Sequence, residues 1–576
     1  MDTKPESIVV PEGYKLHSEN TSHILLPDNN GAFLNPVQEF NRDLSVACIR
    51  TWGDVSNAEK KRKWEISEER RAKKEQQAQN GSNSKRQKTE SSAPDSNKTD
   101  IDITEEAQPA QATSSTKREY HSQKFVILEA LSATGLRSIR YAKEIPLVKF
   151  VIANDLSPTA AEAMRRNVDL NGLGEQISED QYEEAESSNK KRVAKVAKVK
   201  VNEGDACTLM YNYRTERDRV DVVDLDPYGT AAPFIDCAVQ CVKDGGLLCI
   251  TCTDLAVLAS TNYAEKCFSN YGGVPIKAEY CHEGALRLLL HTISTSAARY
   301  GRHIQPLLSL SIDFYIRVFV RVSTSPIEVK KLMSKTSTFY VCSGCQSFYE
   351  QPLGRVHEQV SAKGNTTQLY KVRSGPTVSE QCPECNSILH VAGPMWSGEL
   401  HDQEFVSKAL EHLEANEDKY GTAARMKGML TLAKEELTTP FYFTPAKIAG
   451  NFHCICPPLD DVASALLHAG HNVSRSHACA GSLKTDAGRD VVHDIFRSWI
   501  KTHPVRMDRV SETSPAKALL AKEPKFEANF KHHPKSVTAG SKVKLVRYQM
   551  NPTPNWGPGS KASSGVKRKR EQGEPE

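Results

Sequence analysis

The stretch Val222-Val223-Asp224-Leu225-Asp226-Pro227-Tyr228-Gly229 decides the fold. A short apolar run ends in an acid, and a proline, an aromatic and a glycine follow at once. This is how a buried parallel strand breaks into a tight loop at its C-terminal end, the place where open α/β sheets bind ligands. The order Asp226-Pro227-Tyr228 also suits an amine on a flat ring. The Asp226 carboxylate and the Pro227 carbonyl accept hydrogen bonds from an exocyclic NH2, and Tyr228 lies against the ring face. The loop therefore reads as one that methylates an amino group of a nucleic-acid base. Asp224 reads as a supporting or structural acid of the same loop.

Outward from this loop, strands and helices alternate. Phe125–Ala130, Val148–Ala153, Val199–Val201, Val220–Leu225 and Leu247–Cys252 are apolar enough for buried strands. Between them, Ser138 to Lys143 begins a helix, Pro158–Leu170 is amphipathic with Ala161, Met164 and Val168 on one side, and Thr230–Lys243 is helical. A helix over about 282–300 leads to alternating runs, Leu307–Ile312 and Tyr315–Val322, which close the set. Such alternation predicts a doubly wound, mainly parallel α/β sheet.

The remaining chain divides by composition. Residues 1–54 are expected to pack on the catalytic domain, with short strands at Ile8–Lys15 and Thr21–Leu26. A helix follows Asn35-Pro36, with Phe40, Leu44 and Ala47 at helical spacing. Arg42 in this segment is read most plainly as a surface salt bridge. Residues 55–120 form a charged insert, helical in its first half and largely disordered in its second. Residues 121–328 are the catalytic domain, with a polar insert at 174–198. Residues 329–503 form a C-terminal domain whose last part, 441–503, reads as a small α/β or winged-helix-like unit. Residues 504–576 form a basic, largely disordered tail, with docked segments such as that around Trp556.

With 75 basic and 71 acidic residues the net charge is only +4, so local clusters carry any electrostatic reading. Lys60–Lys63, Lys85–Lys88 and Val566–Arg570 are such clusters, read as RNA contacts or import signals, or as solvated surface. Hydrophobic content of 39% and a mean hydropathy of -0.51 point to a sizeable unfolded fraction. No apolar run is long enough to span a membrane, and the start, MDTKPESIVVPEGYK, is not a secretory signal. Fifteen cysteines scattered through apolar segments indicate a reducing compartment.

Several strand ends carry the residues a nucleotide-type cofactor needs. Gly135 lets the backbone turn sharply beside a ligand. Asp155, ending the second strand, suits ribose hydroxyls. Asp205, with the Ala206 amide beside it, suits an adenine edge. Together with Asp226-Pro227-Tyr228 they point to an S-adenosylmethionine site; helix N-capping is the plainer reading of Asp155 and Asp205. Leu-Ser-Ala-Thr-Gly-Leu is not G-x-G-x-x-G, and no P-loop motif is present, so dinucleotide binding and P-loop nucleotidase activity are disfavoured.

Two C-x-x-C knuckles, Cys342/Cys345 and Cys382/Cys385, supply four thiolates to one tetrahedral ion, a closed and therefore structural zinc site. Cys454, Cys456 and Cys479 lack a fourth partner and are read as core residues. His282, His291 and His303 are read as surface or helix-end residues.

Phe33-x-Asn35-Pro36 with Asn41-Arg42-Asp43, Ser132-Ala133-Thr134-Gly135-Leu136-Arg137-Ser138-Ile139-Arg140, Asn154-Asp155, Asp205-Ala206 and Asp224–Gly229 together resemble the tRNA (guanine-26 N2)-dimethyltransferases. Gly393-Pro394-Met395-Trp396-Ser397-Gly398 and Asn555-Trp556-Gly557-Pro558 are similar too. The resemblance implies a class I (Rossmann-like) methyltransferase domain and a C-terminal α+β, zinc-containing, tRNA-binding domain. It implies two methyl transfers from S-adenosylmethionine to N2 of a tRNA guanine. It also implies cofactor contacts at Arg42, Arg137, Asp155, Asp205 and Ala206, Asp226 as the catalytic acid, and Phe33 and Tyr228 on either side of the guanine. The long insert at 55–120 departs from the pattern and points to a eukaryotic member. Nuclear import follows from the basic runs; the resemblance also admits a mitochondrial pool, although the acidic start does not look like a transit peptide; no obligate protein partner is implied. Two other readings stay open: an adenine N6 or protein-glutamine methyltransferase, and a non-catalytic zinc-ribbon RNA-binding protein or RNA chaperone.

Overall fold

The computed structural model describes residues 8–28, 34–89, 119–175 and 197–542. The chain forms two compact units, Met1–Thr51 with Phe125–Glu576, and Trp52–Lys124. The first is built on a seven-stranded sheet. Its strands are β1 (Phe125–Glu129), β2 (Val148–Asp155), β3 (Val199–Glu203), β4 (Val220–Leu225), β5 (Val242–Cys252), β6 (Arg302–Ile312) and β7 (Tyr315–Thr324), in the spatial order β3-β2-β1-β4-β5-β7-β6. β1 to β5 run parallel, and β7 runs against both β5 and the edge strand β6. This is the doubly wound α/β sheet expected from the alternation, and the chain reverses direction beside β1. That reversal leaves a crevice at the strand ends.

The elements differ from expectation where local chemistry overrides periodicity. β5 begins at Val242, not Leu247, because Val242 pairs with Val220 before the register shifts, with Gly245 held at φ 72°. The helix ahead of it accordingly spans only Ala232–Cys241. The N-terminal strands are Tyr14–Glu19 and Ser22–Pro27, a hairpin. It docks on the helix Pro158–Leu170, whose Asn167 accepts from the Leu25 amide at 2.9 Å. That helix starts where Ser157 caps it and Pro158 fits its first turn. It buries Ala161, Met164 and Val168, as their spacing predicts.

The helix after Asn35-Pro36 runs over Glu39–Thr89, and Phe40, Leu44 and Ala47 are all buried. Its later turns lie in the second unit, where Asn57 exchanges hydrogen bonds with the backbone of Gln123 and the Trp64 and Tyr120 rings meet at 5.9 Å. Residues 90–118 of the insert, 176–196 of the polar insert, the Val566–Arg570 run and Trp556 lie outside the described residues.

The boundary expected near 328 is not a gap in packing. Phe339, Val341, Met395, Trp396, Phe441 and Tyr442 share one buried cluster with Leu286, Leu289 and Val318 of the catalytic part. A second cluster gathers the four knuckle cysteines with Phe452, Phe496 and Leu519. Residues 441–503 hold the helices Pro445–Phe452, Leu459–His468 and Arg489–Thr502 and a hairpin of Val473–Arg475 with Leu483–Thr485. Part of the tail expected to be disordered is also packed. Ser514 caps a short helix at Pro515, Leu519 is buried, and its carbonyl accepts from Arg497 Nε at 3.0 Å. The basic composition of this segment hid a few well-spaced apolar anchors.

Candidate active site

Asp226 leaves the end of β4 with its side chain one-fifth exposed, and Tyr228 beside it is 46% exposed. The turn is set by Gly229, at φ 80°, whose amide donates to Thr253 Oγ1 at 2.8 Å. Nothing crowds a Cβ there, so glycine is required by conformation and not by space. At Gly135 both matter: φ is 78°, and a Cβ would meet Met164 Cγ at 3.1 Å. The loop at the end of β1 therefore keeps its backbone close to the crevice.

Beneath Asp226 lies a buried set of charges that only partly follows the sequence reading. Asp224 is fully buried; Arg317 Nη1 donates to its Oδ1 at 2.7 Å, and the Tyr141 hydroxyl donates to its Oδ2. Burial alone would raise the Asp224 carboxyl, but Arg317 and Arg137 outweigh it and hold the group below its ordinary value. Arg137 Nη2 donates to Asp226 Oδ2, and its Nη1 donates to Ser45 Oγ at 3.2 Å. The same guanidinium lies 3.5 Å from Glu129 and 3.6 Å from Asp224. Burial pushes the Glu129 carboxyl up to about 7, with Arg137 opposing and Asp224 reinforcing the rise. Arg137 thus orients Asp226 by one oxygen and leaves Oδ1 for another donor.

Asp155 sits at the end of β2, where its Oδ2 accepts from the Ala133 amide and its Oδ1 from the Ser157 amide, both at 2.9 Å. It ties the Gly135 loop to the strand end and is not itself the helix cap. Asp205 is a cap: Oδ1 accepts from the Thr208 amide at 2.7 Å, and that bond holds its carboxyl below the ordinary value. Ala206 follows it and is buried. Asn154 binds the strand ends together, donating to the carbonyls of Ala130 at 2.9 Å and Gly204 at 3.1 Å. Arg42 is not on the surface. Its Nε donates to Glu19 Oε2 at 2.7 Å in a buried pair that also takes in Arg140. Phe33 lies outside the described residues.

The two knuckles come together. Cys342 and Cys385 sulfurs are 3.3 Å apart, Cys345 and Cys382 3.7 Å, and all four are buried within 4.8 Å of one another. Four thiolates on a tetrahedral ion with bonds of ~2.3 Å stand about 3.8 Å apart, so the set fits zinc. His401, Glu436 and His477 also cluster, but as a proton-bonded network. The Ser309 and Ser311 amides donate to the outer nitrogens of His401 and His477, at 3.3 and 3.1 Å. That leaves the His477 inner nitrogen as an N–H donor to Glu436 at 2.5 Å, while His401 Nε2 stands 3.5 Å from the same carboxylate without a hydrogen bond, and Lys484 completes the group at 3.1 Å. His291, expected at the surface, is buried, and burial brings its imidazole down to about 4. Cys456 is exposed, and Cys454 and Cys479 are only partly buried.

A family model described as N2,N2-dimethylguanosine tRNA methyltransferase matches residues 13–497. The chain belongs to this family. Relatives named tRNA (guanine(26)-N(2))-dimethyltransferase include one from Schizosaccharomyces pombe, 44% identical over 94% of this chain and 92% of its own length. One from Mus musculus is 39% identical over 96% of this chain and 77% of its own. One from Saccharomyces cerevisiae, named as mitochondrial, is 40% identical over 95% and 92%. A solved structure of Trm1 from Pyrococcus horikoshii with S-adenosyl-L-methionine superposes with a TM-score of 0.58 at 24% identity, over 85% of this chain and 99% of that one; it shares the fold.

In this tRNA methyltransferase the residues missed from sequence are those that neutralise the site. Arg317 and Tyr315 alternate with apolar residues on β7, and that polar alternation inside a buried strand was the available signal. Arg425, from the helix Ala423–Glu435, bonds Asp313 at 2.7 Å and lies 4.4 Å from the Phe40 ring; no motif marked it.

Proposed function

We infer that this chain carries out the reaction for which its relatives are named, transferring two methyl groups from S-adenosylmethionine to the exocyclic N2 of guanine-26 in tRNA. The observation that carries the site assignment is the Asp226-Pro227-Tyr228 loop at the crevice, with Arg137 gripping one Asp226 oxygen. The residues fit the cofactor. Asp205 and Asp155 stand at neighbouring strand ends, and Gly135, at φ 78° and packed on Met164, makes the tight turn between them and the loop after β1. Asp155 and Asp205 would hold its ribose and adenine, with the Ala206 amide, and Arg137 and Arg42, which Asp226 and Glu19 already engage, would be the cations for its carboxylate. When bound, the cofactor supplies an electrophilic methyl on a sulfonium.

The protein's part is positioning. An aromatic amine is a weak nucleophile because its lone pair is delocalised into the ring. Asp226 Oδ1 and the Pro227 carbonyl accept its N–H bonds, which favours a pyramidal nitrogen aimed along one direction. Asp226 then takes or relays the proton released as N2 gains carbon. After the first transfer one N–H remains, so the same carboxylate aligns the second. Tyr228 stacks on the base, worth about 1–3 kcal/mol. A base in a helical stem must be flipped out to reach this loop.

The four cysteines hold a structural zinc ion, and the basic runs bind tRNA phosphates and direct nuclear import. No helix of the described residues is long and apolar enough to cross a membrane. Purified chain, S-adenosylmethionine and tRNA should yield N2,N2-dimethylguanosine by nucleoside mass spectrometry. A tRNA with adenosine at position 26 should yield none. Methyladenosine instead would favour the rival amine methyltransferase.

A further inference from the structure

Tyr315 opens β7 with its side chain almost fully buried, and its hydroxyl has no hydrogen-bond partner. Leaving a buried hydroxyl unpaired costs about 1–3 kcal/mol, and native proteins seldom do so without cause. The sheet register shows where the group stands. Tyr315 and Arg317 are two residues apart on one strand and share a face. On that face Arg317 reaches Asp224, Thr251 at 2.9 Å and Ser45 at 2.8 Å. Arg137, which holds Asp226, contacts the same Ser45 and the same Asp224. Tyr315 is therefore one pleat beyond this charge network, toward the strand end from which the Asp226 loop emerges.

The surroundings fix its role as a donor. Burial pushes the phenol far above its usual range; Arg425 opposes this, and the Asp226 and Asp313 carboxylates add to it. It is thus protonated at any physiological pH. The other cation of this corner, Arg425, is engaged by Asp313. The acceptors assigned to the base, Asp226 and Pro227, match only its N–H groups. Along the same edge of guanine, beyond N2–H and N1–H, comes O6, which requires a donor.

We propose that Tyr315 is a specificity-determining residue of the guanine pocket, its hydroxyl donating to O6 of the base whose N2 amine Asp226 holds. The proposal rests on the assignment of Asp226. It also gives the unpaired hydroxyl a purpose: a base lacking O6 leaves it buried and unsatisfied, so discrimination comes from that penalty.

The test compares full-length wild type and Tyr315→Phe on two ligated tRNAs, one with guanosine and one with 2-aminopurine at position 26. The analogue keeps the C2 amine and lacks O6. Tyr315→Phe should lower kcat/KM roughly ten-fold on guanosine and leave the 2-aminopurine value unchanged. S-adenosylmethionine affinity by calorimetry should not change, and Tm should be equal or higher, because the hydroxyl removed had no partner. Equal losses on both tRNAs, no loss on guanosine, or a lower Tm would overturn the proposal. Asp226→Asn, run in parallel, separates the two assignments. If it retains full transfer, the reading of the loop fails; if it is inactive on both tRNAs while Tyr315→Phe shows no selective loss, only the Tyr315 proposal fails.

Discussion

The strand-end site and the cysteine knot pose the same electrostatic problem and solve it differently. At the strand ends Glu129, Asp224 and Asp226 crowd together, and two arginines supplied by the fold, Arg137 and Arg317, neutralise them. In the knot, four buried sulfurs approach within 4.8 Å. Among the described residues they bond, besides one another, backbone amides and the hydroxyls of Ser347, Ser387 and Tyr349, with no side-chain cation among these partners. Where the protein brings its own cations, the site is complete in the chain alone. Where it brings none, ionised thiols need an external one.

The contrast is sharpest on metal removal. Chelation, or Cys342→Ser, should strip about one zinc per chain, read by atomic emission, and unfold the surrounding cluster of Phe452, Phe496 and Leu519. Structural zinc contributes ~10–16 kcal/mol in small domains. Unchanged thermal unfolding after complete metal loss would mean that the sulfurs are simply packed.

Breaking the self-neutralised site should cost less. Arg317→Met strands the buried Asp224 carboxylate and should destabilise the chain by about 3–5 kcal/mol in urea unfolding. The double variant Arg317→Met/Asp224→Leu should recover most of that loss, because the unpaired charge is gone. If the double variant is no better than the single one, packing and not charge holds this corner.

The smallest effect concerns Glu19. Burial opposes its ionisation, but hydrogen bonds from His17 and Arg42 and the charges of Arg42 and Arg140 outweigh it, bringing the carboxyl down from 4.5 to about 2. A depressed carboxyl stabilises fully above its unfolded value and loses that contribution as pH falls through the window from 4.5 to 2. Across it the wild type should lose about 3 kcal/mol more than Glu19→Gln. Parallel acid limbs for the two proteins would refute the pairing.

The comparison also explains what the sequence could disclose. Backbone demands were legible because they sit in short motifs: Gly135 and Gly229 with positive φ, acids at strand ends, and C-x-x-C spacing. Groups that satisfy those motifs from afar were not. Arg317 is remote in sequence from Asp224, and Arg425 reaches Asp313 from a helix of the C-terminal part. Arg42 looked like a surface residue until the hairpin carrying Glu19 folded over it. Leu519 hid in a basic tail because composition averages away a single buried anchor. The cysteine knot was readable for the opposite reason, since its like residues announce one another.

The central claim is that Asp226 holds the guanine amine, and Asp226→Ala tests it most directly. Transfer should be measured at saturating tRNA and S-adenosylmethionine, with both affinities determined separately. The rate should fall by at least about 10²–10⁴-fold while both affinities stay near those of the wild type. Undiminished transfer, or a loss explained wholly by failure to bind tRNA, would contradict it.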